Sequence, residues 1–205
     1  MKICIASVSR SGSYYIRKWV ASQFHNSFSA DYGHMGLEFF KRQCQTQHAV
    51  VKIEDNSGFP PAYFQDIWDK KILLLRDPLN TFASRIKWGD SRQTMNVEKL
   101  LSLKNAWKKY ARYCLGSPKK NEFFVLYNKF TNNIKLRKKL FDFIEGDNYA
   151  DDIGEVIHSS FATNTTELRY REINDCDFKL LSVVFEDHEM LDLAKHLFGI
   201  AYEIR

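Results

Sequence analysis

The chain has 205 residues, of which 44% are hydrophobic, 15% aromatic and 27% charged, with only 9 Gly and 4 Pro; this composition excludes a disordered, collagen-like or low-complexity polymer. The length predicts one domain, residues 1–205, and no apolar run approaches the roughly 18 residues of a membrane span. Thirty basic against 25 acidic side chains give a formal charge of +5, too small on its own to mark a nucleic-acid binder, so no nucleic-acid partner is expected.

Lys2 to Val8 (KICIASV) is an apolar, β-branched run that predicts a buried strand. No cleavage-site pattern follows it, so it does not read as a signal peptide, and a cytoplasmic protein is expected. After the turn Ser9-Arg10-Ser11-Gly12-Ser13, the spacing of Ile16, Trp19, Val20 and Phe24 predicts a helix from Tyr14 to about Phe24. Residues 26–47 are mixed, with turns at Gly33 and Gly36 and a helix around 37–44. His48 to Ile53 (HAVVKI) predicts a second strand, and Gly58-Phe59-Pro60-Pro61 a loop.

Lys71 to Leu75 (KILLL) is the clearest strand. It ends at Arg76-Asp77-Pro78, where Asp77 suits an N-cap and Pro78 the first turn of a helix running to Trp88 and stopping at Gly89. Val97, Leu100, Leu101, Trp107, Tyr110, Ala111 and Cys114 keep a 3.6-residue period, predicting an amphipathic helix over 96–115 closed by Gly116 and Pro118. Glu122 to Tyr127 (EFFVLY) predicts a strand, followed by a helix over 131–144 whose run Lys135 to Lys139 reads as a solvated face. Helices fill the remainder, the last from Leu191 to Phe198 before Gly199. The four cysteines (Cys4, Cys44, Cys114, Cys176) show no metal-ligand spacing; buried free thiols are expected, and no metal site.

Strands alternating with helices predict an α/β three-layer sandwich with a central parallel sheet. Ligands of such sheets bind beyond the carboxyl ends of the strands. Three polar clusters fall there: Ser9–Ser13, Lys52–Asp55 and Arg76–Ser84. Charge agrees: residues 1–145 hold 25 basic and 12 acidic side chains, residues 146–205 hold 5 and 13, so the first part suits a polyanion. Gly12 lets backbone approach an anion at a helix start, with Arg10 as fixed charge and Ser11 and Ser13 as hydroxyl donors. By itself a strand–SRSGS–helix also reads as a plain serine-capped turn, and the GxxxxGK[ST] pattern is absent.

Together these residues resemble the PAPS-dependent sulfotransferases. Arg10-Ser11-Gly12-Ser13 is similar to their loop of a basic residue before Ser-Gly-Thr. LLLRDPLNTFASR is similar to their strand ending in Arg-(Asp/Asn)-Pro, with a serine eight residues after the arginine. Val50-Val51-Lys52-Ile53-Glu54 is similar to their Lys-x-(His/Glu), Tyr127-Asn128-Lys129-Phe130 to their Tyr-Glu-Asp-Leu, and Ser159-Ser160-Phe161 to a Ser/Thr-Ser-Phe element. The resemblance spans residues 1–161 and implies the P-loop NTPase-like sulfotransferase fold. It implies 3′-phosphoadenosine 5′-phosphosulfate (PAPS) as donor, adenosine 3′,5′-bisphosphate (PAP) as product, and no obligatory metal.

It further implies that Arg10 and the Gly12–Ser13 amides hold the donor's 5′-phosphate, with Ser11, Tyr14 and Tyr15 also binding the nucleotide; Tyr14 and Tyr15 read equally as core aromatics of the first helix. Arg76 and Ser84 would hold the 3′-phosphate, Tyr127 would lie near the adenine, and Ser160 and Phe161 would also bind the nucleotide. Catalysis would fall to Glu54 as general base, with Lys52 and Arg10 at the transferring group. The chain departs from the family in having Ser9 for a proline, Arg10 where cytosolic members have lysine, and Tyr15 for a tryptophan. It also lacks the Arg-Lys-Gly tripeptide of cytosolic members, for which Arg169 or Arg171 would have to substitute. His34 and His48 are rival bases. The acceptor, whether small molecule, glycan, lipid or peptide, stays open. So do a nucleotide phosphotransferase and a non-catalytic nucleotide- or glycan-binding module as alternative functions.

Overall fold

A computed structural model of the chain describes residues 1–9, 11–31, 42–43, 45, 47–54, 61–92, 96–150 and 175–199. Five strands form one all-parallel sheet: β1 (Lys2–Ser7), β2 (Ser27–Asp31), β3 (His48–Glu54), β4 (Lys70–Leu75) and β5 (Glu122–Leu126), in the order β2-β3-β1-β4-β5. The helices are α1 (Ser13–Ser22), α2 (Pro78–Arg92), α3 (Val97–Leu115), α4 (Tyr127–Asn132), α5 (Ile134–Ile144), α6 (Asp175–Phe185) and α7 (His188–Phe198).

Side chains alternate across the sheet, as the period of two requires. Ile3, Ile5, Val50, Ile72, Leu74 and Val125 pack beneath Ile16, Trp19 and Val20 of α1, Phe130 of α4, and Leu140 and Ile144 of α5. On the other face Cys4, Ala6, Val8, Val51, Ile53, Leu73 and Leu75 pack against Phe82 and Ile86 of α2, Trp107 and Tyr110 of α3, and residues of α6 and α7. Each of the three inner strands carries an apolar run because both of its faces are covered.

The alternating strands and helices of the sequence thus form the expected three layers, but several boundaries differ. β2 lies within the 26–47 stretch that shows no strand pattern: its residues are SFSAD, all half-buried, as suits an edge strand. The helix expected around 37–44 falls largely outside the described residues. α2 runs through Gly89 to Arg92, since one glycine costs a helix only about 1 kcal/mol. Tyr127 does not end β5 but opens α4, and the single helix expected over 131–144 is two, divided where Asn133 turns extended and caps the N–H of Leu136 at 3.1 Å.

The buried stripe of α3 passes through Leu103 and Ala106, leaving Val97 and Leu101 exposed. Within the run Lys135 to Lys139 the three lysines are exposed, but Arg137 is buried and donates to the carbonyl of Phe130 at 2.8 Å. Asp77, Pro78, Gly116 and Gly199 take the places expected of them. The Asp77 carboxylate accepts the N–H of Asn80 at 2.9 Å, and Gly199 closes α7 at φ 69°.

Candidate functional site

Register places the polar clusters on one edge. Ser7, the last residue of β1, pairs with Glu54 on one side and Leu74 on the other; Asp31, the last of β2, pairs with Lys52. The chain leaves β1 toward β2 and leaves β4 toward β5, so the connections diverge between β1 and β4. That is where a parallel sheet opens a crevice beyond its strand ends.

The turn after β1 is built around Gly12. Its φ of 87° and ψ of 17° lie in the left-handed region, which glycine enters without a Cβ penalty. Its carbonyl accepts the N–H groups of Tyr15 and Ile16, at 3.0 and 3.1 Å, and so starts α1 with no side-chain cap. A Cβ at this position would overlap the edge of the Tyr127 ring, its Cζ at 2.9 Å. The absence of a side chain therefore lets the turn lie directly on Tyr127.

Tyr127 joins the two motifs. The Arg76 guanidinium lies 5.1 Å from its ring centroid, and Tyr15 meets it edge-on at 6.0 Å. Burial pushes the Tyr127 phenol up, and Arg76 opposes the shift. Arg76 is fixed from below: Trp107, fully buried, donates its Nε1–H to the Arg76 carbonyl at 2.9 Å. The carboxylate of Asp77 takes three hydrogen bonds from Asn80 and a fourth, at 3.2 Å, from Asn128 at the start of α4. Ser84 lies two turns into α2 and is half-buried.

The α1 face of the strand ends carries the charges. Lys52 and Glu54 are two residues apart, so both project to the face where α1 lies, while Ile53 faces the other core. The Lys52 ammonium sits 2.9 Å from Asp31 and 3.3 Å from Glu54, and the Ser13 hydroxyl donates to the other oxygen of Glu54. Arg17, one turn beyond Ser13 on α1, is 7% exposed; burial lowers its proton affinity, opposed by Asp31, Tyr14 and Glu54. Arg85 of α2 is lowered by burial in the same way and opposed by Glu54.

Among the described residues, Ser7 Oγ, Ser11 Oγ and Arg17 Nε are buried with no hydrogen-bond partner. Unmade hydrogen bonds of this kind are costly unless a ligand or solvent completes them. Two unpartnered hydroxyls beneath the start of α1 fit a phosphate-type anion better than an apolar group.

The structure therefore brings Lys52, Glu54, Ser11, Gly12, Ser13, Tyr15, Arg76 and Tyr127 to one edge. Tyr14 is 44% exposed, with its ring 5.0 Å from Arg17 and 5.7 Å from Lys18, while Tyr15 is the member of the pair that packs inward. Arg10, Ser160, Phe161, Arg169, Arg171 and the rival base His34 lie outside the described residues. His48 opens β3, at the opposite edge of the sheet, and stacks on Phe24 at 4.5 Å. Sequence reasoning missed Asp31, Arg17, Arg85, Trp107 and Asn128. Only Arg17 carried a signal, being four residues after Ser13 and on the same side of its helix.

No protein-family profile matches the chain, and no curated protein matches it in sequence. Solved structures do match in shape. The mouse sulfotransferase SULT7A1, in complex with PAP, superposes with a TM-score of 0.64 at 14% identity, over 98% of this chain and 89% of that one. The sulfotransferase domain of the Synechococcus PCC 7002 olefin synthase gives 0.56 at 15% identity, over 99% and 96%. A sulfotransferase from Alicyclobacillus acidocaldarius gives 0.56 at 13% identity, over 98% and 96%. With its five-stranded parallel sheet and layered helices, the chain has the sulfotransferase fold.

Proposed function

We propose that the chain is a PAPS-dependent sulfotransferase, moving a sulfuryl group to a hydroxyl or amine acceptor. The observation that carries this reading is the junction at Tyr127. There the Gly12 turn and Arg76, 64 positions apart in sequence, meet on one ring at the β1/β4 crevice of a sulfotransferase fold. That a solved protein of similar fold binds PAP adds support.

In this reading the start of α1, with Gly12, Ser11 and Ser13, receives the donor's 5′-phosphate, and Arg10 adds charge. Arg76 and Ser84 receive the 3′-phosphate, and Tyr14, Tyr15, Tyr127, Ser160 and Phe161 bound the nucleoside. PAPS supplies an already activated sulfuryl group. The acceptor oxygen or nitrogen forms a bond to sulfur as the sulfur–oxygen bond to the phosphate breaks, and the electron pair leaves on PAP. Arg10 offsets the charge developing there, Lys52 engages the sulfuryl group in transfer, and the acceptor proton passes to Glu54. Positioning and electrostatics carry most of the rate gain, and no metal is required by the residues assigned.

Titration calorimetry of PAP into wild type and Arg76→Ala, with ATP/Mg²⁺ as control, tests the donor site. Micromolar PAP binding that falls more than tenfold in the variant supports it; preference for ATP/Mg²⁺ overturns it in favour of a phosphotransferase. Glu54→Gln should leave PAP binding within threefold of wild type while lowering sulfuryl transfer by about 10²-fold or more. Nucleotide binding with no transfer by wild type to any acceptor or to water would instead mark a binding module.

A further inference from the structure

β3 lies between β2 and β1, so Lys52 has the Ser9–Ser13 turn on one side and the end of β2 on the other. Its ammonium is drawn outward: Asp31, its register partner on β2, holds it at 2.9 Å, closer than Glu54 at 3.3 Å. Both groups are largely sheltered, with 15% of the Lys52 side chain and 31% of Asp31 exposed, so the attraction is stronger than that of a surface pair. No residue of the donor site as assigned needs Asp31. Its carboxylate competes with any anion for the same lysine.

Arg17 makes that competition reversible. It enters from α1, is 7% exposed, and its charge interacts with both Asp31 and Glu54. Without it, a lysine that left Asp31 would strand a sheltered carboxylate without a counter-charge, a costly state. Lys52 is thus shared between two carboxylates, Asp31 and Glu54, with Arg17 of α1 as a buried cation nearby.

Resting on the donor-site reading above, we propose that Asp31 is a positioning residue that parks Lys52 away from the transfer centre. The terminal sulfonate of PAPS, which PAP lacks, competes the lysine off Asp31, and Arg17, buried on the neighbouring helix, supplies counter-charge near the vacated carboxylate. Lys52 then engages the group being transferred only when that group is present.

The test compares PAP with PAPS by titration calorimetry on wild type, Asp31→Asn, Lys52→Met and the double variant. Asp31→Asn should tighten PAPS about fivefold and leave PAP within twofold, because only PAPS brings the competing anion. In the Lys52→Met background the gain should vanish. Arg17→Met should weaken PAPS selectively, and adding Asp31→Asn should restore it. Retained PAP affinity reports a folded site in each variant. A parallel shift of PAP and PAPS in Asp31→Asn, or a gain that persists without Lys52, overturns the parking role. Failure of wild type to bind either nucleotide overturns the donor-site reading itself.

Discussion

Replacing Gly12 with alanine tests the central junction, because the structure gives two separable costs. The first is conformational: at φ 87° and ψ 17° an L-residue pays about 1–2 kcal/mol that glycine does not. The second is steric, since the new Cβ would overlap Cε2 and Cδ2 of Tyr127. The ring is hemmed in by Tyr15, edge-on at 6.0 Å, and by Arg76 at 5.1 Å, so moving it forfeits part of both contacts, together about 1–2 kcal/mol. Gly12→Ala should therefore destabilise the chain by about 2–4 kcal/mol in urea denaturation, and weaken PAP binding about tenfold or more. Combining it with Tyr127→Ala removes the obstruction and leaves only the conformational cost. The double variant should then be destabilised by about 1–2 kcal/mol less than the sum of the single effects. Additive effects, or a Gly12→Ala loss below about 0.5 kcal/mol, would refute the close packing of turn on ring.

Trp107→Phe removes the Nε1–H that the Arg76 carbonyl accepts and leaves a smaller side chain in a fully buried position. A loss of about 1–3 kcal/mol in denaturation is expected, with PAP affinity reduced a few-fold through a loosened Arg76; unchanged affinity would show that Arg76 does not depend on this support. Asp187 caps α7 and pairs with Lys104 and Lys108 of α3 at 3.3 and 2.7 Å. Burial alone would raise its pKa, but the Lys108, Met190 and Lys104 hydrogen bonds prevail and hold it at about 2, from 3.8. A depressed carboxylate stabilises above its unfolded pKa, and that stability, about 2 kcal/mol, is lost as pH falls from about 4 through 2. Asparagine caps as well as aspartate, so Asp187→Asn isolates the charge. Its deficit should be full at pH 6 and shrink toward zero at pH 2, and a pH-independent deficit would contradict the ion-pair account.

Legibility followed periodicity. KILLL and KICIASV carry apolar runs and became β4 and β1 because inner parallel strands are covered on both sides, which no other short element demands as strongly. SFSAD was illegible as β2 for the complementary reason: an edge strand covered incompletely has no apolar run to show, and its pairing with β3 is a long-range event. The division at Asn133 hides inside a continuous helical pattern because asparagine is tolerated in a helix and preferred as a cap, and the choice is tertiary. For the candidate site, the loop and strand-end segments were readable as positions where polar residues follow apolar strands. Their partners were not. Asp31 meets Lys52 only through strand order, Trp107 reaches Arg76 across 31 positions, and Asn128 reaches Asp77 across 51; no local spacing encodes such contacts.

The alternation of the strands also decides from which side a ligand can approach. At the carboxyl edge, Val8, Ile53 and Leu75 face the core beneath α2 and α3, all nearly fully buried among Phe82, Trp107 and Tyr110. A ligand on that face would have to displace apolar packing worth roughly 1.5–3 kcal/mol for each large side chain uncovered. On the other face, Ser7 ends β1 and Lys52 and Glu54 lie at the end of β3, and the start of α1 stands over them with the hydroxyls of Ser11 and Ser13. Here a ligand exchanges one set of polar contacts for another, a far smaller cost. One helical layer, pinned by Lys104, Lys108 and Arg112 of α3 against Asp187 and Glu189, is thus apolar packing that a ligand would have to break, whereas the ion pairs of the α1 side can be remade.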